Sequence, residues 1–415
     1  MAGIVPVAQA RVKIAEILRV DGGLGAILVD LTSLAHIGRS FGGATFQLLQ
    51  QQIDPLIAEM RDLFREGDIL ARDEWDGDRF LFFFGGRRSK DVPFAIEEIR
   101  RLVERVEEFL RPRIARLTLP YMREKPTLDV GYAFTLFSPL ESEERQISRL
   151  VEDAVGSVGF RRQTRDRDQR EVLQEIIYNR KIWTAFQEIL EIENRTIVGY
   201  EGLSRGPRGT ELEPPMALFG LAARHDLTEE LERSCRRQAF VDWEIFGAPG
   251  RLFVNTVPAT IRDTTFLGRG VLDYLGTKLS PQFVTLEITE RQVIENLNLY
   301  REAMHSFLDM GFTFAIDDVG SGYSGLETVA TLGANYLKID MGLVRDIHQK
   351  KVNQQVVKAI LDMAAGVGST VIAEGIQTND ERDALLQLGI RYGQGYLYGR
   401  PLDPYARRRT VTAAR

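Results

Sequence analysis

The residues best suited to chemistry lie in the second half of the chain, and they recur at one kind of place, the end of a short apolar run. Glu201, Asn255, Glu287, the adjacent Asp317 and Asp318, Lys338 with Asp340, Glu374 and Gln394 each close such a run. A single carboxylate after a strand is usually a helix cap or a solvated loop residue. A whole series is different, because carboxylates gathered at one place repel each other unless cations are bound. The set offers oxygens and one amide but no His or Cys ligand, which suits Mg²⁺ or Mn²⁺ better than Zn²⁺. Asp317 and Asp318 would serve two cations. Two metals ~3.5–4 Å apart clamp the attacking and leaving oxygens of a phosphodiester. Lys338 also admits a Schiff-base reading in some other barrel enzyme, but surrounding carboxylates would keep its amine charged and a poor nucleophile.

These residues converge only if the runs are strands of one barrel. The strand candidates are Ile197–Glu201, Arg251–Asn255, Phe283–Glu287, Thr313–Asp317, Tyr336–Asp340, Thr370–Glu374 and Arg391–Gln394, and most are separated by 20 to 35 residues, one βα unit. With a further strand near Phe186–Ile192 they add up to a (β/α)₈ TIM-like barrel over residues 182–406. In a parallel barrel the C-terminal strand edges meet on one face, where active sites are built.

Residues 1–160 follow another plan. Strands are expected at Gly25–Asp30, Asp68–Arg72, Arg79–Phe84 and Leu128–Leu136, with helical periodicity over Phe46–Phe64, Ile96–Phe109 and Ile147–Val158. The order β-α-β-β-α-β-α is a split βαβ layout of the ferredoxin-like α/β kind. Phe160–Arg170 carries five Arg and two Asp in eleven residues and reads as a solvated linker running into a helix over Glu171–Lys181. Residues 161–181 are therefore a linker, with a coupling helix between domains as the functional alternative, and 407–415 form a basic tail.

Composition narrows the class. The 53 Lys and Arg against 59 Asp and Glu leave a formal charge of −6, which argues against a nucleic-acid polymer or an anionic membrane as partner. Cys235 is alone, so neither an intrachain disulfide nor a cysteine zinc site is expected. No apolar run reaches the ~18 residues of a membrane helix, and the N-terminus makes a poor signal peptide. The expectation is a cytoplasmic protein.

The motifs in order carry a resemblance. EGLSR at Glu201–Arg205, FVNT around Asn255, LEITE at Leu286–Glu290, DDVGSGYSGL at Asp317–Leu326, YLKID at Tyr336–Asp340, AEGIQT at Ala373–Thr378 and QGYLYGRPL at Gln394–Leu402 together resemble the EAL domain, the cyclic-di-GMP phosphodiesterase family, over Lys181–Tyr405. The resemblance implies hydrolysis of cyclic di-GMP to linear 5′-pGpG with two Mg²⁺ or Mn²⁺ ions per site. It assigns Glu201, Asn255, Glu287 and Asp317 to one metal, and Asp317, Asp318 and Glu374 to the other. It implies that Lys338 binds the nucleophilic water or the scissile phosphate and that Glu374 accepts the water's proton. Glu290 would brace the DDVGSGYSGL loop. Gln187, Arg205, Gln394 and Asp340 would bind the dinucleotide, and a homodimer is implied.

Two departures stand out: Gly202 replaces the family's Ala, which should loosen the site, and Gln377 replaces a second acidic residue, removing a charge near the metals. The full ligand set favours an active enzyme; a receptor that binds cyclic di-GMP without cutting it is the alternative. Residues 1–160 resemble a GGDEF domain with eroded motifs. DGDRF at Asp76–Phe80 stands in the signature position, with Arg79 in place of the metal-binding Glu. Thr32, Gly38 and Arg39 replace other active-site residues, and only Asp30 remains of the metal set. That implies a catalytically inactive domain in a regulatory or dimerisation role. Arg65 and Asp68 match the RxxD of an inhibitory nucleotide site, though a surface ion pair is the simpler reading.

Overall fold

In this computed structural model the chain is described at residues 4–73, 77–85, 96–119, 121, 128–256, 271, 275, 279–289, 304–320 and 332–406. It divides into two compact units, Met1–Asp168 and Gln169–Arg415.

The first unit is built on five strands, β1 (Val5–Pro6), β2 (Gly23–Asp30), β3 (Ile69–Arg72), β4 (Arg79–Gly85) and β5 (Asp129–Leu136), in the order β1-β3-β4-β2-β5. β4 lies between β2 and β3 and is antiparallel to both, and β5 is antiparallel to β2. β2 is buried along its whole length because helices cover both of its faces. The four expected strands are present. Helix α1 (Val7–Asp21) was not expected, although its buried Ala10, Ile14 and Leu18 recur every four residues.

The reading of Phe160–Arg170 as a solvated coil is corrected. Glu143–Tyr178 is one helix of 36 residues, so FRRQTRDRDQR is helical. Its arginines have partners on this unit's sheet. Arg162 and Arg165 hold the buried Asp129 carboxylate at 2.6 and 2.7 Å, and Arg161 donates to the Val130 carbonyl oxygen at 2.6 Å. High charge density here marks a helix face that is paired, not a solvated coil.

The second unit is a closed eight-stranded barrel: β6 (Trp183–Glu191), β7 (Ile197–Arg205), β8 (Arg251–Asn255), β9 (Val284–Thr289), β10 (Thr313–Val319), β11 (Tyr336–Ile339), β12 (Thr370–Ala373) and β13 (Tyr392–Gly393). An all-parallel barrel is not what forms. β6 is antiparallel to both β7 and β13. The reason is local: only a tight turn joins β6 to β7, closed by Arg195 N donating to the Glu191 carbonyl oxygen at 2.8 Å with Arg195 at φ 60. So short a connection makes a hairpin, whereas parallel neighbours need a long crossover.

Alternation along the strands then separates the floor of the barrel from its working layer. Ile189, Phe253, Ala315 and Ile372, with Tyr336 and Tyr392, form a small apolar cluster of their own. Two residues further along the parallel strands come Asn255, Asp317, Glu374, Lys338 and Gln394. On reversed β6 the corresponding residue, Gln187, comes two before Ile189. Gly199 makes room for this floor, since a Cβ there would lie 2.9 Å from the Phe253 ring. Outward residues such as Tyr200 and Phe186 pack against Trp243 and Phe246 of helix α2 (Thr228–Phe246), mostly edge to face.

Candidate active site

At the centre of the barrel mouth is a fully buried amine. Lys338 Nζ stands 2.7 Å from Glu374 Oε1, 2.8 Å from Glu287 Oε1, 3.2 Å from Asp317 Oδ1 and 3.3 Å from Glu201 Oε2. Burial alone would depress the Lys338 amine, but the four carboxylates reverse this and hold it well above its ordinary value. It is therefore a fixed cation, which removes the Schiff-base reading. Burial pushes the Glu287 and Glu374 carboxyls well up, and neighbouring carboxylates add to this. Gln394 Nε2 donates to Glu201 Oε2 at 2.5 Å and to Glu374 Oε1 at 3.0 Å.

Glu201, Glu287 and Asp317 each offer one carboxylate oxygen, all within 4.8 Å of one another, and so do Asp317, Asp318 and Glu374. Adjacent residues in a regular strand face opposite sides. Here the ladder between β10 and β11 shifts register between Ile316 and Val319, and Asp318 takes a left-handed φ of 57. This bulge turns two consecutive carboxylates toward one site. Burial, then the neighbouring Asp317 and Asp340, push the Asp318 carboxyl up to about 6. Gly375 follows Glu374 at φ 67, where any Cβ would also meet Met341 at 2.6 Å.

The donor set fits a hard divalent cation. Every titratable member is a carboxylate, and both Glu287 oxygens are buried, with Lys338 beside Oε1 as their ion partner among the described residues. The formal charge of five carboxylates and one ammonium is −5 + 1 = −4, which two divalent cations balance.

The remaining expected residues divide. Asn255 lies at its strand end, register partner of Glu287, with its side chain exposed. Gln187, partner of Glu201 across β6 and β7, donates to the Gly399 carbonyl oxygen at 3.2 Å. Arg205 folds onto the Ser204 carbonyl oxygen at 2.9 Å, and burial depresses its guanidinium. Asp340 caps the turn Met341–Val344 by accepting from Gly342 N at 2.8 Å. Glu290 and most of the DDVGSGYSGL loop lie outside the described residues.

Residues 170–401 match the EAL domain. The chain belongs to the EAL-domain family. Its relatives include the probable cyclic di-GMP phosphodiesterase PdeA of Escherichia coli K12, 37% identical over 191 residues, which are 45% of this chain and 25% of that protein. PdeB of the same organism, also a probable cyclic di-GMP phosphodiesterase, is 31% identical over 55% of this chain and 44% of its own. The chain thus spans less than half the length of either. Among solved structures, the EAL enzyme Bd1971 with bound cAMP and cyclic di-GMP is 24% identical, covering 69% of this chain and 82% of that one at a TM-score of 0.53, a likeness of fold.

Within the EAL domain the two departures read differently once placed. Gln377 is exposed and turned outward, its Oε1 accepting from Arg345 Nη1 at 2.6 Å, so it is not beside the carboxylate cluster. A Cβ on Gly202 would face Thr184 at 3.3 Å and Leu252, on the outer side of the barrel wall. Neither expected effect on the site follows from these positions. Glu381 was not singled out in the sequence. Its buried carboxylate accepts from Gln377 N, Thr378 N and Asp346 N at 2.8, 3.0 and 3.1 Å, tying down the segment after Glu374. The Thr378-x-x-Glu381 spacing, a capping box, was the available signal.

In the first unit, Arg79 Nε reaches the buried Asp30 Oδ2 at 3.2 Å, and Thr32 donates to Asp30 Oδ1 through both N and Oγ1. Asp30 is thereby held by a cation and two donors of its own chain. Asp68 accepts from Arg65 N at 2.9 Å and closes a local turn.

Proposed function

We propose that the barrel hydrolyses cyclic di-GMP to linear 5′-pGpG. The observation that carries this reading is the ring of four carboxylates around buried Lys338, with two overlapping oxygen clusters on its rim. Glu201, Asn255, Glu287 and Asp317 would hold one divalent cation and Asp317, Asp318 and Glu374 the other. Mg²⁺ or Mn²⁺ there supplies positive charge to the phosphate oxygens and acidifies water.

The chain's own groups do the rest. Gln187, Arg205 and Gln394 position the dinucleotide, Arg205 through a guanidinium that among the described residues donates only to backbone carbonyl oxygens. Asp340, at the same rim, orders the backbone beside the substrate. Lys338 presents an ammonium to the scissile phosphate. Glu374 takes a proton from the attacking water, whose oxygen bonds to phosphorus as the P–O3′ bond breaks. The leaving O3′ takes a proton from solvent, so the product carries a 5′-phosphate and a free 3′-hydroxyl. Glu290, outside the described residues, would keep the bracing role that the family resemblance implies.

The first unit serves as an inactive GGDEF-like domain in a regulatory or dimerisation role, supported by the Asp30–Arg79 pair that fills the position of a metal carboxylate. Incubation with cyclic di-GMP and Mg²⁺ or Mn²⁺, followed by chromatography, tests the function. Linear pGpG that disappears with excess chelator is expected. Binding without product identifies a receptor, and neither binding nor product overturns the reading.

A further inference from the structure

A second buried carboxylate lies outside the ring, at the start of the antiparallel strand. Asp242, on α2, is 0% exposed, and hydrogen-bond donors hold both of its oxygens. Its Oδ2 accepts from Thr184 N at 2.7 Å. Its Oδ1 accepts from Gln238 Nε2 at 2.9 Å and from the Tyr405 hydroxyl at 2.6 Å. A wholly buried carboxylate is costly unless several donors satisfy it. Here one donor is the β6 backbone and another comes from a segment far along the chain.

That segment covers a gap in the barrel seam. β13 pairs with β6 only at Leu190 and Glu191. Further along β6, toward the site, its edge is taken by Leu402, through Phe186 N to the Leu402 carbonyl oxygen at 2.9 Å and Leu402 N to the Phe186 carbonyl oxygen at 2.7 Å. Gln187 is the next residue, and its amide is held by Gly399 of the same segment. A second fastening lies beside Arg205. Arg208 grips Asp403 through two hydrogen bonds of 2.5 and 2.8 Å, and its guanidinium lies 3.9 Å over the Trp183 ring and 5.5 Å from the Tyr405 ring. Trp183 is the register partner of Arg205.

We propose that Gly399–Tyr405 is a positioning latch for the dinucleotide-binding edge of the site, fastened by Asp242–Tyr405 and Arg208–Asp403. The latch sets how Gln187 and Arg205 meet the substrate. It touches no member of the carboxylate ring, so it governs affinity for the dinucleotide and not the chemical step. This rests on the reading of the barrel as a cyclic di-GMP site.

The experiment compares the wild-type chain with Tyr405→Phe and with Asp403→Asn, the second a mild change at a half-buried side chain. Steady-state hydrolysis of cyclic di-GMP, binding of cyclic di-GMP by calorimetry in Ca²⁺ buffer, and thermal unfolding are measured together. Each variant should raise KM and Kd about 5- to 20-fold, with kcat and the Mg²⁺ midpoint within about twofold. A lowered unfolding temperature with KM and Kd unchanged makes the contacts merely structural and overturns the latch. A fall in kcat at constant KM overturns it too. If the wild type binds but does not cut, the Kd comparison still decides the latch. A wild type that neither cuts nor binds overturns the functional reading beneath it.

Discussion

Glu374→Gln and Gln377→Glu, three residues apart after the same strand, should differ sharply: the first nearly abolishes turnover and the second leaves it unchanged. Glu374 Oε1 lies 2.7 Å from Lys338 Nζ and 3.0 Å from Gln394 Nε2, inside the ring. An amide keeps its shape but deletes one of five negative charges, taking the formal sum from −4 to −3, and it cannot accept a proton from water. Loss of an electrostatic contributor costs roughly 10²–10³ in kcat, and loss of a general base a further ~10² or more, so kcat should fall by about 10⁴ or more. Binding should survive within about threefold, since Arg205 and Gln187 are untouched. Gln377 instead faces Arg345 at 2.6 Å on the surface. A carboxylate there makes an exposed ion pair worth ~0–1 kcal/mol and leaves kcat within about twofold. The assay is pGpG production under saturating cyclic di-GMP and Mg²⁺, with Kd from calorimetry. A wild-type rate for Glu374→Gln refutes the ring as the catalytic centre. A tenfold gain for Gln377→Glu refutes the outward placement of that side chain.

Lys338→Met leaves four buried carboxylates without their shared cation; breaking such a pairing costs about 3–5 kcal/mol, so unfolding in EDTA should fall well below wild type and recover on adding Mg²⁺, and an unchanged midpoint in EDTA would falsify the pairing. Glu232 has a buried, unpartnered Oε2, and burial, opposed by Arg236, pushes its carboxyl from 4.5 up to about 7. The folded state therefore keeps a proton that the unfolded chain releases, so stability is lost as pH rises through that window, with a ceiling of about 3 kcal/mol from 7 − 4.5 = 2.5 units. Glu232→Gln should accordingly raise the unfolding temperature over wild type at pH 8 and scarcely at pH 5; the reverse order contradicts the burial argument. Full-length protein given GTP and Mg²⁺ should yield neither cyclic di-GMP nor pGpG, because Arg79 occupies Asp30; either product would show a working cyclase.

How far the sequence could be read depended on whether a feature was periodic or singular. The strand ends were visible because an apolar run that stops at a carboxylate announces both a strand and its exposed edge. The reversed β6 was legible but not read: only four residues separate the expected strands Phe186–Ile192 and Ile197–Glu201, too few for the crossover that a parallel pair needs. The 36-residue helix was hidden by composition. Five arginines look like solvent-exposed coil until their partners, Asp129, Glu107 and the Val130 carbonyl oxygen, are known to lie beside them. Asp242 and Tyr405 carried no local signal at all, because 163 residues separate them.

Asp317 and Asp318 show the limit most sharply. Their adjacency suggested a shared site, yet pleating alone would have sent one of them outward. Convergence needs a bulge, and the bulge needs a residue that tolerates positive φ. Aspartate is among the few non-glycine residues that do so at modest cost. The same side chain type thus serves as ligand candidate and as the backbone element that makes its neighbour's ligation compatible with its own. Asp318→Glu keeps the charge but suits the left-handed region less well, and Asp318→Asn keeps the backbone but loses the charge. If the backbone role matters, Asp318→Glu should lower stability more than Asp318→Asn while Asp318→Asn weakens Mg²⁺ activation more. Equal effects of both on both readouts would mean that charge alone is what position 318 provides.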